Sequence, residues 1–204
     1  LGESIAAVST MTFAFAIGLL LDIFNVHDDY ILLIASAAAL VIGIGLSTRT
    51  SFIGTIIIVA ATQPFMAAVI SEFIPDTPVA PLLFAISGSA LIWFSLRNIG
   101  LRFIARAAGA VSILMAAIAF STWDSNMWQP LVGLAIVGLL FIFGASRMHL
   151  EIVAAGGLGV TIITGILAGQ LFDSALAQGI SVIGVGALIV FTSIAISRKG
   201  NAVT

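Results

Sequence analysis

Eight stretches of this chain stay apolar for about as long as a helix needs to cross the hydrocarbon of a bilayer, roughly 17–25 residues. They lie at about 4–24, 30–46, 51–71, 79–96, 103–121, 130–145, 150–171 and 175–196. Within them apolar residues run continuously, without the alternation over about ten positions that marks a membrane strand. An open sheet would also leave backbone N–H and C=O groups unsatisfied in lipid. The pattern predicts an all-α fold, a polytopic transmembrane helical bundle of eight spans. Short links make sequential helices antiparallel neighbours. Four consecutive helical hairpins are expected, about 1–48, 49–97, 98–147 and 148–204, within a single integral-membrane domain.

Charge content supports lipid as the solvent. Only 8% of residues are charged and 61% are hydrophobic, whereas a soluble domain carries about a quarter charged residues. Mean hydropathy is +1.26. There is no cysteine, so disulfides, thiolate metal sites and cysteine nucleophiles are excluded. The chain opens at Leu1 rather than Met, as expected of the membrane part of a longer chain.

The signs of the charges set an orientation. With eight spans, all seven basic residues (Arg49, Arg97, Arg102, Arg106, Arg147, Arg198 and Lys199) fall on one side. Asp22, Asp28, Asp29, Glu72, Asp76, Asp124 and Asp173 fall on the other, and only Glu3 and Glu151 share the basic side. The positive-inside rule makes the basic side cytoplasmic, so both termini are expected in the cytoplasm, with a bacterial inner membrane as the setting. Arg49, Arg97, Arg147 and Arg198 recur at steps of 48, 50 and 51 residues. Either a duplicated two-helix unit or the bilayer thickness itself produces such a period. Tyr30, Trp123 and Trp128 mark the outer interface, and Trp93 the inner one.

Helix boundaries have local causes. Asp28 and Asp29, Asp76 or Thr77, and Asp173 or Ser174 stand where N-caps belong; Pro78 and Pro130 suit first turns. Pro64 lies inside the third span, where it should kink the helix and free a carbonyl that Gln63 or a neighbouring helix could satisfy.

Several side chains are candidates for function. Asp22 and Glu72 each close an outward-running helix, at the unfavourable negative end of its dipole. They are candidate outer-face proton or cation sites; the plainer reading is two carboxylates reaching water. Gln63 and Pro64 are the one polar, kink-forming feature near mid-membrane and are candidate substrate contacts. Arg97, Arg102 and Arg106 form the densest basic cluster, a candidate contact for cytoplasmic lipid or partner proteins, or simply a topological signal. Arg106 is expected to snorkel back to the surface. Gly165 and Gly169 form a GxxxG, expected to pack the last two spans closely. His27 and His149 fall on opposite faces and cannot share a metal.

Missing residues narrow the chemistry. The only lysine is Lys199, so no mid-span Schiff base is available, and no H-E-x-x-H occurs. A catalytic role is not expected, nor a cofactor, a metal or a nucleic-acid partner. The expected function is a non-catalytic membrane module, an anchor or accessory subunit that binds lipids and other membrane subunits. The alternative is a small transporter or lipid-handling carrier for an apolar or amphipathic substrate.

Overall fold

A computed structural model of the protein describes residues 28–47, 51–74, 77, 79–96, 101–123, 126–172 and 174–201. Among these residues every regular element is α-helix. The helices are α1 (Asp28–Ser47), α2 (Ser51–Phe73), α3 (Ala80–Ser95), α4 (Arg102–Ser121), α5 (Trp128–Arg147), α6 (Leu150–Leu171) and α7 (Ala175–Asn201). The expected span at 4–24, and with it Asp22, lies outside the described residues. So do Arg49, Asp76, Arg97, Asp124 and Asp173.

Among the described residues, three helices, α4, α5 and α6, are long and apolar enough to cross a membrane. At about 1.5 Å per residue, 20–22 residues reach across a hydrocarbon layer about 30 Å thick. Tyr30–Leu46, Gly54–Ile70, Ala80–Ser95 and Ala175–Ile189 are shorter apolar helical stretches.

Several helix ends depart from expectation. The α3 helix begins at Ala80 with Val79 at the N-cap and no side-chain cap bond, so Pro81 rather than Pro78 occupies the first turn. The α5 helix begins at Trp128 with Met127 at the N-cap, so Pro130 stands third in the first turn, where its missing N–H leaves no helical bond unmade. At α7 the expected cap is present: Ser174 Oγ accepts from the Ala177 N–H at 3.2 Å. Pro64 sits within α2, which continues as helix to Phe73.

The α5–α6 link is two residues long, and a closed C-cap makes it possible. Met148 is left-handed at φ 56°; its N–H donates to the Ala145 carbonyl at 3.3 Å, and the His149 N–H donates to the Gly144 carbonyl at 2.9 Å. This pair of bonds is a Schellman motif, which normally places glycine where Met148 stands.

The chain divides into two compact units, 1–109 and 110–204, the division falling within α4. In the first unit α1 packs on α2, and α2 on α3. In the second, Leu114, Ala117, Val137 and Ile163 form a buried cluster drawn from α4, α5 and α6. Phe120 and Trp128 meet edge to face, 5.4 Å between ring centroids. The α5 and α6 helices run antiparallel: a Cβ at Gly144 would meet Val153 N at 2.7 Å, one at Gly156 would meet Phe141 N at 2.6 Å, and one at Gly159 would meet Val137 Cγ1 at 2.6 Å. Each glycine on one helix seats a larger residue of the other.

Apolar side chains lie both inside and outside. Ala61, Ala68, Ala105, Ala110, Ala116, Ala117 and Ala168 are buried, while Leu139 (68% exposed), Leu150 (80%), Ile183 (72%) and Val41 (70%) face outward. Ile57, Leu91, Phe120, Ile152 and Ile163 are buried as well, so what sets this surface apart is the number of large apolar side chains left outside, which water would penalise. In lipid the apolar surface costs nothing outside, and close approach of small residues holds the helices together. Such a surface suits a membrane-associated protein.

Candidate functional site

Polar side chains inside the helices satisfy themselves locally. Ser36 donates to the Leu32 carbonyl at 2.6 Å, Thr62 to the Ile58 carbonyl at 2.6 Å, Ser87 to the Phe84 carbonyl at 2.9 Å, and Ser121 to the Ala117 carbonyl at 2.7 Å. A hydroxyl that bonds back one turn can be buried without a partner helix. Among the described residues no buried side-chain nitrogen or oxygen lacks a partner. The set of buried polar residues there contains six Ser or Thr and one amide, Gln129 at 2% exposed, and no charged residue.

Two groups of polar side chains stand at helix ends in the first unit. In one, the Tyr30 hydroxyl donates to Glu72 Oε1. Tyr30 lies in the first turn of α1 and Glu72 in the last turn of α2, so the bond ties the start of one helix to the end of the next. It offsets part of the cost of a carboxylate at the negative end of the α2 dipole. Sequence patterning marked both residues as interfacial but did not pair them, because 42 residues separate them in the chain. Only tertiary packing brings such a pair together.

The second group is the arginine pair at the start of α4. Arg102 is exposed and Arg106 half-buried, and no acidic residue occupies the first turn of that helix. Arg102 therefore stands at the positive end of the helix dipole, with Arg106 one turn further in. At about 3.6 residues per turn, they share a helix stripe with Gly109. A Cβ at Gly109 would lie 2.5 Å from the Gly88 carbonyl oxygen and 2.8 Å from Ile92 Cγ1, so this stripe faces α3. The arginines thus stand over the α3–α4 seam.

The remaining candidates are spread along other helices. Gln63 and Pro64 are half-buried in the middle of α2. Gly165 has Val182 Cγ2 at 3.6 Å from a built Cβ, an ordinary contact between α6 and α7, and Gly169 has nothing within 4 Å. The tight crossings use other glycines: Gly109, Gly144, Gly156, Gly159 and Gly133, where a Cβ would overlap the Ser121 hydroxyl. Spacing in one helix could not single these out, because a tight crossing depends on which residue of the facing helix lies opposite. His149 is the N-cap of α6, and among the described residues no three of His, Asp or Glu gather as metal ligands do.

No protein-family model matches the chain, and no curated protein or solved structure matches it significantly.

Proposed function

We propose that this protein is a non-catalytic integral membrane module, an anchor or accessory subunit whose work is to hold other components in the bilayer. In this reading the chain crosses eight times as four hairpins, with both ends on the cytoplasmic side of a bacterial inner membrane. One observation carries the binding role. Gly133, Gly144, Gly156 and Gly159 on α5 and α6 sit in tight crossings, whereas Gly169, Gly179, Gly184 and Gly186 on α6 and α7, like Gly138 on α5, meet no heavy atom within 4 Å of a built Cβ. Glycine weakens a helix by about 1 kcal/mol relative to alanine. In lipid it is favoured where another helix must come close.

The test is purification from native membranes in mild detergent, comparing wild type with Gly179→Leu and Gly184→Leu. A stoichiometric membrane partner that the leucine variants lose is the expected result. The opposite result is an isolated protein that drives solute uptake in liposomes, with uptake abolished by Asp22→Asn or Glu72→Gln; that would establish the carrier reading instead. Labelling of single introduced cysteines from outside intact cells tests the eight crossings. Sites beside Asp28 and Asp124 should react, and those beside Arg49 and Arg147 should not.

A further inference from the structure

The arginine pair of α4 has aromatic neighbours by helical phase. Gly88 and Ile92 mark the face of α3 that meets α4, and Gly109 marks the face of α4 that meets α3. Gly88 stands seven residues before the end of α3 at Ser95, and Gly109 seven after the start of α4 at Arg102, so the two helices run antiparallel from their link. With about 100° per residue, Trp93 is rotated by about 120° from the mean of Gly88 and Ile92. Phe103 is rotated by about 120° from Gly109, in the same sense along its own chain. Equal rotations in the same sense on antiparallel right-handed helices turn both side chains onto one flank of the seam. Arg106, about 60° from Gly109, leans to that flank, and Arg102 lies near the seam itself.

Trp93 is 58% and Phe103 61% exposed. All four residues lie toward the same end of the helix pair, roughly 4–11 Å along the axes from the Gly88–Gly109 contact at about 1.5 Å per residue. The result is two arginines and two exposed aromatic residues gathered toward one end of the helix pair, Arg106, Trp93 and Phe103 on one flank and Arg102 near the seam.

We infer that this flank is a binding site for an anionic phospholipid: Arg102 and Arg106 hold the headgroup phosphate, and Trp93 and Phe103 carry the glycerol region and the first acyl carbons. The inference rests on the membrane reading above but not on which leaflet the site faces. Guanidinium groups match phosphate oxygens in pairs, and the positive end of the α4 dipole adds to their pull. Tryptophan favours this depth because its ring is apolar and its N–H is polar. A soluble anion would gain nothing from the aromatic pair, which selects the lipid as occupant.

The experiment uses the full chain carrying Trp123→Phe and Trp128→Phe, which leaves Trp93 as the sole tryptophan. It is reconstituted in phosphatidylcholine vesicles containing either phosphatidylglycerol or phosphatidylcholine brominated on the acyl chains. Quenching of Trp93 then reports which lipid sits beside it. Brominated phosphatidylglycerol is expected to be preferred by about fivefold for each arginine, the attraction of one basic side chain at an anionic headgroup layer. Arg102→Gln with Arg106→Gln should abolish the preference. If that pair fails to insert, either single variant should lower it by about fivefold. Equal quenching by both lipids in the wild-type arginine background, or a preference unchanged in the variants, overturns the site. Absence of quenching by either lipid overturns the membrane reading itself, and the site with it.

Discussion

Consider Gly156→Ala, a single methyl group added at the α5–α6 crossing. Its Cβ would stand 2.6 Å from Phe141 N, 2.7 Å from Phe141 Cα and 2.9 Å from Phe141 Cβ. Two of these three atoms are backbone, so no rotamer change relieves the overlap. Restoring an ordinary contact of 3.4 Å requires the helices to part locally by about 0.8 Å. A gap of that size forfeits about a quarter to a half of each dispersion contact along the seam. Overpacking of this kind costs about 1–3 kcal/mol. The change also gains up to about 1 kcal/mol of helix propensity, so the net effect is a destabilisation of about 0–2 kcal/mol. Gly138→Ala on α5 is the control. Nothing lies within 4 Å of its built Cβ, so it gains the propensity without the clash. Unfolding in mixed micelles of mild and denaturing detergent, read by helical circular dichroism, should move the two variants in opposite directions. If both are stabilised by the same amount, α5 and α6 do not approach as closely as the geometry requires, and packing by small residues is not what holds the second unit together.

Other outcomes follow from the same geometry. Met148→Gly should stabilise the protein by about 1 kcal/mol in that assay, because the left-handed φ of 56° costs glycine nothing. Leu101→Gly, at φ 53°, should act likewise, and a loss of stability in both would contradict the backbone assignment. Tyr30→Phe should cost up to about 1 kcal/mol, small because both side chains are partly exposed, and the loss should vanish when Glu72→Ala is already present. A double-mutant cycle with no coupling would mean that the bond does not persist in solution. Ser174→Ala should weaken the start of α7 by about 1 kcal/mol, seen as faster amide exchange in its first turn.

The sequence alone determined the helical character of the described chain and the approximate places where its helices stop. The reason is physical: in lipid the backbone must bond within its own segment, so a long apolar run has a single regular solution, and polar residues, Pro and Gly interrupt it where the chain returns to water. Ser174 as the α7 cap was legible for the same reason, since capping is a bond within one turn. The starts of α3 and α5 were displaced by about one turn or less, as competing caps and prolines within a few residues differ little in energy.

Tertiary structure decided what lies opposite what. Gly165 and Gly169 have the spacing of a packing motif, yet the built Cβ contacts shorter than 3.0 Å occur at Gly109, Gly133, Gly144, Gly156 and Gly159. A glycine gains from close approach only when a bulky residue such as Phe141 or Val137 stands across from it, and no one-dimensional pattern records that. The Tyr30–Glu72 bond and the placing of Arg102 and Arg106 over the α3–α4 seam are of the same kind. Apolar periodicity is nearly silent when the outside of the helix is as apolar as the inside. The choice of face therefore passes to size and shape, which act only between helices already in contact.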